Sequence, residues 1–374
     1  MKSTTVEGRA KTKNGVTRLV FSVICILLEV IFIILMFTKL NRYAEAVNLL
    51  TRVVGVIVIL NMYASPVTST IKVPWILLIL MFPIMGLGLY LLVGLNGGTE
   101  KMRRRYQKID EQLLPLLPEN RKIQEKLLQK IPRAGNISSY IHRNAGYPVY
   151  QNTDVTYFDE AAKGLEAQLQ DLAKAEQFIF MEYHAIEDAE AWHRIQQVLE
   201  DRVKAGVELR VFYDDMGSIG FINTDFTKKM EAVGIRCRVF NPFMPGLNLF
   251  LNNRDHRKIT VIDGKVGFTG GYNLANEYFN LTHPYGQWKD TGIRLEGDAV
   301  RSLTVTFLEM WNAVNDKDEN DTDFARFLLE YPYKAQQTGF VQPYADSPLD
   351  GEKVGEEVYI SMVNKAEKYC WFMT

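Results

Sequence analysis

The sequence predicts an α/β fold preceded by transmembrane helices, on three observations. Long uncharged apolar runs are confined to the first hundred residues, helix-like and strand-like patterns alternate after residue 146, and charge divides between the two regions. Residues 1–98 carry nine Lys/Arg against three Glu, a net of +6, and the remainder 34 against 41, a net of −7. With 374 residues, 47% of them hydrophobic, the chain has material for a membrane anchor and a soluble domain of ordinary size. Intrinsic disorder, a collagen-like repeat and a small disulfide-stapled scaffold are excluded by the same figures. Cys25, Cys237 and Cys370 are too far apart in sequence to suggest a disulfide framework or a structural zinc site.

Taken in order, residues 1–98 read as a membrane anchor of two or three helices. Leu19 to Thr38 is apolar but for Glu29, and Val73 to Thr99 has no charge over 27 residues. Each run is long enough to cross a hydrocarbon core, which takes about 20 helical residues. Val53 to Ile71 is also uncharged, but Arg52 precedes it and Ser65-Pro66 interrupts it, so it reads as a third span or an interfacial segment. Pro83, Gly86, Gly88 and Gly94 would weaken a helix in water, by about 1 kcal/mol for each Gly and about 3 for Pro. In a bilayer, neighbouring helices re-satisfy the backbone groups so released. A cleaved signal peptide has a shorter apolar stretch and no further spans, so the anchor is expected to stay. Lys2, Arg9, Lys11, Lys13 and Arg18 favour a cytoplasmic N-terminus; Lys101, Arg103, Arg104, Arg105 and Lys108 favour a cytoplasmic start to the following region. Two spans satisfy both preferences. The second basic cluster also suits anionic lipid headgroups, at about 1 kcal/mol per residue.

Residues 99–145 read as a linker and surface helices, charged from Lys101 to Lys130 and broken by Pro115 and Pro118. Residues 146–345 then form one lobe. Glu160 to Ala175 has the period of an amphipathic helix, Phe178 to Tyr183 reads as a buried strand and Ala191 to Ala205 as a helix closed by Gly206. Glu208 to Tyr213 is a strand, Asp225 to Val233 a helix and Ile235 to Phe240 a strand. Strands separated by helices imply βαβ units and a largely parallel sheet. Asp214-Asp215-Met216-Gly217-Ser218 follows a strand end, where open α/β sheets place ligand crevices. Turn formation and polar closure of the strand explain the two acids more economically than a metal does.

The most informative stretch is Arg254 to Gly264, which contains H-x-K-x4-D in His256, Lys258 and Asp263. On a strand from Lys258 to Ile262, His256 and Lys258 point to one face, with Ile259 and Val261 buried on the other. Asp263-Gly264 is then a hairpin turn and Lys265 to Thr269 the returning strand. Gly270 and Gly271 permit close backbone approach to a ligand, and Asn273 offers an amide donor. These residue types suit chemistry at phosphorus. An imidazole attacks, an ammonium stabilises charge on the phosphate oxygens, and a carboxylate holds a histidine in its useful tautomer. No metal or other cofactor is required.

The run HRKITVIDGKVGFTGGYN resembles the signature of the phospholipase D superfamily, and its surroundings resemble bacterial cardiolipin synthases. Those surroundings are Glu182-Tyr183, Tyr213 to Ser218, Asn252, Arg254, Gln287 to Thr291, Arg294 with Gly297, Phe307 with Trp311, and the N-terminal hydrophobic pair with Pro74-Trp75 and Pro83. The resemblance runs from about residue 16 onward. It implies transfer of a phosphatidyl group from one phosphatidylglycerol to another, releasing glycerol, through a phosphohistidine, at an anionic bacterial cell membrane. Carried over by motif, His256, Lys258 and Asp263 are catalytic, His256 as nucleophile or general acid, and Asn273 with Gly270 and Gly271 binds phosphate.

The family pattern has two such motifs, and this chain has one. His142, His184, His193 and His283 lack the accompanying Lys and Asp; His184, after a strand and near Glu182, has the best alternative claim to a pocket. Lys174-Ala175-Glu176, followed by Phe178 to Met181, recurs as Lys365-Ala366-Glu367, followed by Tyr369 to Met373. Residues 346–374 are therefore expected to be the opening helix and strand of an incomplete second lobe, and the chain a truncated form carrying half an active site. Self-association of two copies would supply two histidines. The alternatives are a phospholipase D-type phosphodiesterase and an inactive membrane-anchored fragment that pairs with an intact synthase. The net charge of −7, with no dense basic face after Lys108, speaks against nucleic acid as a partner.

Overall fold

The computed structural model describes residues 20, 23, 24, 27, 30, 31, 34, 44–65, 69–91, 97–223, 225–242, 254–314, 321–347, 349 and 351–372. The expected span from Leu19 to Thr38 lies mostly outside them, as do Asn252 and Cys25. The chain forms two compact units, one within residues 15–101 and the other of residues 102–242 and 253–374.

In the first unit, α1 (Ala44–Ala64), α2 (Ser69–Met81) and α3 (Pro83–Leu89) pack on one another. Lys72 donates to the Tyr63 carbonyl (3.2 Å) and to that of Ser65, placing a cation at the negative end of α1. The single helix expected over residues 73–99 is interrupted. Phe82 leaves helical geometry (φ −132°, ψ 74°), and Pro83, which has no N–H to donate, opens a new helix. Gly86 lets α3 lie on α2, since a Cβ there would overlap the Leu78 carbonyl. Apolar side chains including Leu50, Ile57, Leu60 and Leu80 point outward and are exposed. Among the described residues, no helix is long and apolar enough to cross a membrane.

The second unit is built on a seven-stranded sheet, entered through the helices α4 (Gly97–Leu113), α5 (Arg121–Lys130) and α6 (Pro132–Ala145). Its strands are β1 (Thr153–Phe158), β2 (Phe178–Tyr183), β3 (Glu208–Asp214), β4 (Arg236–Phe240), β5 (Lys258–Ile262), β6 (Val266–Gly270) and β7 (Gly292–Gly297), in the order β1-β7-β6-β5-β2-β3-β4. The expected βαβ units exist: α7 (Ala161–Leu172) precedes β2, α8 (Glu190–Lys204) joins β2 to β3, and the short α9 (Asp215–Ser218) and α10 (Phe226–Ala232) join β3 to β4. The sheet, however, is mixed, with four of its six pairings antiparallel. The three-residue turn Asp263-Gly264-Lys265 makes β6 antiparallel to β5, and β7 and β1 continue that pattern. Asp263 and Gly264 have positive φ, 52° and 65°, the geometry that an Asp-Gly hairpin turn favours.

Strand alternation divides the core. Phe178 and Phe180 of β2 face one layer with Ile259, Val261 and helix α11 (Val300–Val314), while Ile179, Met181 and Tyr183 face the other with α7 and α8. Both faces are covered, which is why all five residues of β5 are buried. Arg210 is enclosed between Phe180, Trp311 and Phe327, bidentate to Asp321 at 2.6 and 2.7 Å. After residue 346, the expected helix is present as α12 (Val354–Lys365), but residues 369–372 have no strand partner, and Tyr369, Trp371 and Phe372 are exposed. An extended segment becomes a strand only where a neighbour accepts its ladder of hydrogen bonds, and among the described residues none pairs with this one.

Candidate functional site

β5 sits between β2 and β6, and its N-terminal end opens into a cleft of about 350 Å³. Lys258, Thr269 and Gly270 line it from the sheet, Thr306 from α11, and residues 342–346 close one side. His256 precedes the strand by two residues, so its side chain rises on the same face as that of Lys258. The Lys258 ammonium lies 3.2 Å from His256 Nδ1 and donates to the His256 carbonyl at 2.8 Å. Burial, then the Lys258 charge, then His184 hold the His256 imidazole down to about 4. Burial pushes Lys258 down to about 8, opposed by the carboxylates of Asp255 and Asp290. At neutral pH the cleft thus presents an uncharged imidazole beside an ammonium.

The structure separates Asp263 from this pair. It lies seven residues further along an extended chain, about 20 Å away at about 3.3 Å per residue. Its carboxylate accepts the backbone N–H groups of Glu176 (2.9 Å), Gln177 (2.7 Å) and Phe178 (2.9 Å), tying the β5–β6 turn to the start of β2. It does not orient the histidine. Asn273 is buried; its carbonyl accepts the Ala185 N–H (3.1 Å) and its amide donates to the Tyr278 hydroxyl (2.8 Å). Gly270 and Gly271 do permit a close approach, of the chain itself: side chains there would overlap the Thr291 carbonyl and the Asp290 carboxylate.

Other groups enter the site that the motif alone does not specify. The His184 ring lies 4.6 Å from that of His256, centroid to centroid, and its Nδ1 is 2.8 Å from the Asp255 carbonyl. Beneath them Arg257 is buried with Glu182 (3.7 Å) and donates to the Thr306 carbonyl (3.1 Å). Its second nitrogen faces Tyr106, whose hydroxyl, with that of Tyr147, donates to Glu309 at 3.2 and 2.8 Å. Burial raises the carboxyls of Glu182 and Asp255, and Glu309 rises to about 7 for the same reason. Glu309 had one signal in the sequence, a lone acid inside the apolar run of α11. Asp214 is the polar closure expected of it: it caps α9 through the Gly217 N–H (3.0 Å), accepts the Asp255 N–H (3.0 Å) and pairs with Arg254.

Residues 52–94 match the sequence family described as phospholipase D-nuclease N-terminal. Over 308 to 316 residues the chain is 40% identical to an uncharacterised protein of Streptococcus mutans and 31% identical to a cardiolipin synthase of Staphylococcus aureus. These alignments cover 84% and 80% of this chain, and 68% and 61% of the respective relatives. A cardiolipin synthase of Oceanobacillus iheyensis is 32% identical over 80% of this chain and 62% of its own length. Over about four fifths of its length the chain is thus similar to cardiolipin synthases, while the Streptococcus mutans relative, of which it covers more than two thirds, is uncharacterised. The chain spans about three fifths of the cardiolipin synthases it matches. Among solved structures, the phospholipase D family member Nuc of Salmonella typhimurium aligns over 45% of this chain and 99% of its own at 16% identity, with a TM-score of 0.33, and carries no part of that likeness.

Proposed function

We propose that the cleft transfers a phosphatidyl group from one phosphatidylglycerol to another, giving cardiolipin and glycerol through a phosphohistidine on His256. The observation that carries the reading is an accessible imidazole, uncharged at neutral pH, with an ammonium 3.2 Å from its Nδ1. For Nε2 to attack, the ring carries its proton on Nδ1. Lys258 therefore turns from that nitrogen to an anionic phosphate oxygen as substrate enters, keeping its bond to the His256 carbonyl. A nitrogen–phosphorus bond forms, the bond from phosphorus to the glycerol oxygen breaks, and that oxygen takes a proton from the second imidazole, the one a partnering lobe would supply. The hydroxyl of a second phosphatidylglycerol then attacks phosphorus, gives its proton back to that imidazole, and the nitrogen–phosphorus bond breaks to free His256. Asp263, in this reading, maintains the fold of the hairpin, and no metal is invoked.

The single motif leaves one imidazole of the family pattern to be supplied, and two copies pairing their lobes would supply it. The outward apolar side chains of α1 and α2 suit lipid contact, and we place the protein at the bacterial cell membrane through two or three spans, its lobe on the cytoplasmic side. The purified chain in phosphatidylglycerol vesicles tests the reaction. Cardiolipin with glycerol, lost in His256→Ala, supports it; cardiolipin formation that survives His256→Ala refutes it. Phosphatidic acid in place of cardiolipin means a phosphodiesterase. No turnover, together with co-purification of an intact synthase, means the non-catalytic partner.

A further inference from the structure

His184 stands where β2 ends, and the pairing of Tyr183 with Lys258 brings the residue after β2 beside the residues before β5. A carbonyl only accepts, so the 2.8 Å contact with the Asp255 carbonyl places a proton on His184 Nδ1 and leaves the lone pair on Nε2. The ring is wedged from behind. A Cβ at Gly217 would overlap both the His184 carbonyl and its Nε2, so only glycine lets α9 come this close. Ser218 Oγ fixes the following backbone by accepting the Ile186 N–H (3.1 Å). From this fixed position the ring meets that of His256 at 4.6 Å, tilted by 51°.

We propose that His184 is a positioning residue for His256, fixing the orientation of that ring and the protonation state in which it meets a phosphodiester. Two imidazoles at this separation repel when both are charged, so a proton on one opposes a proton on the other. The ionisable groups around the pair are Lys258 on β5, Arg257 and Asp346 along the cleft, Asp255 with Glu182 beneath, Asp214 and Arg254 behind the His184 loop, and Asp290 facing Lys258. The inference rests on His256 being the nucleophile, and it deepens that reading: one lobe carries two coupled imidazoles.

The test reads imidazole reactivity without turnover. The 374-residue protein in lipid discs is treated with diethylpyrocarbonate across pH 2.5 to 8, and carbethoxylation of the His256 peptide is followed by mass spectrometry. In His184→Phe, which keeps an aromatic ring and removes its charge, the midpoint of His256 reactivity is expected to rise by at least half a pH unit. Gly217→Ala, which displaces the His184 ring, is expected to shift the same midpoint. A His256 profile unchanged in both variants overturns the proposal. Should His184→Phe not fold, His184→Gln keeps a donor for the Asp255 carbonyl and gives the same reading. A moved midpoint in a chain that makes no cardiolipin would sink the proposed reaction and leave the coupling standing.

Discussion

Replacing Asp263 distinguishes a catalytic carboxylate from a structural one. In the folded chain it accepts three backbone N–H groups at 2.7 to 2.9 Å and sits at φ 52°. Hydrogen bonds to charged groups contribute about 1.5–3 kcal/mol each at most, and those near solvent contribute less. The half-exposed position argues for about 1 kcal/mol apiece. Alanine in the left-handed region adds roughly 1–2 kcal/mol of backbone cost. Asp263→Ala should therefore destabilise by about 4 kcal/mol, which in a domain of this size lowers Tm by roughly 8–16 °C. Asp263→Asn keeps one acceptor and tolerates the positive φ, so its loss should be about half. Thermal unfolding of the 374-residue protein, followed by tryptophan fluorescence, measures both. Activity at a temperature well below the variant's Tm then decides the role: it should be close to that of the parent protein. An unchanged Tm combined with abolished turnover would refute the structural assignment and return Asp263 to the chemistry.

The remaining expectations follow from the same contacts. With His256 held down to about 4 and Lys258 near 8, kcat/KM should be level from about pH 5 to 7 and fall above about 8 as the ammonium is lost; a rate still rising beyond pH 9 would contradict it. Asp321→Ala leaves the enclosed Arg210 with Glu208 alone and should cost about 3 kcal/mol, while Arg210→Met with Asp321→Ala should cost less than the single change, as urea midpoints would show. Glu309, raised by burial to about 7, is a group whose folded form holds its proton more tightly than the unfolded chain, so its contribution is complete below about 4.5 and is lost as pH rises through 7. Relative to Glu309→Gln, the parent protein should lose about 3 kcal/mol between pH 4.5 and 7, and parallel stability–pH curves for the two would count against this.

Local periodicity made part of the fold legible. β2 spans the residues that the apolar run Phe178 to Tyr183 marks, and Asp263-Gly264 marks the β5–β6 turn because few other pairs accept two positive φ values. β1 and β7 were not read, and with them two of the four antiparallel pairings, β1 with β7 and β7 with β6. β7 runs Gly292-Ile293-Arg294-Leu295-Glu296-Gly297, with two glycines and two charges in six residues, and its partner β1 begins at Thr153, far away in sequence. Arg294 is satisfied there by Asp171 (2.6 Å) and Glu296 (2.8 Å), a compensation that only the folded chain reveals. Pro83 likewise had a clear local meaning, the end of a helix, which the length of the uncharged run obscured.

The site divides along the same line. His256 and Lys258 could be placed together because residues two apart on extended chain share a face, whereas a spacing of seven carries Asp263 past the other end of β5. What lies beneath the pair is assembled from four separated segments: Tyr106 and Tyr147 from the helical entry, Glu182 from β2, Asp255 with Arg257 before β5, and Glu309 from α11. One guanidinium among three buried carboxyls cannot neutralise them all as anions, so the cluster must hold protons when folded. Proton content of this kind is a property of proximity and burial, and no spacing rule along the chain encodes it. The motif thus locates the reacting atoms, while the electrostatic floor on which they stand belongs to the fold.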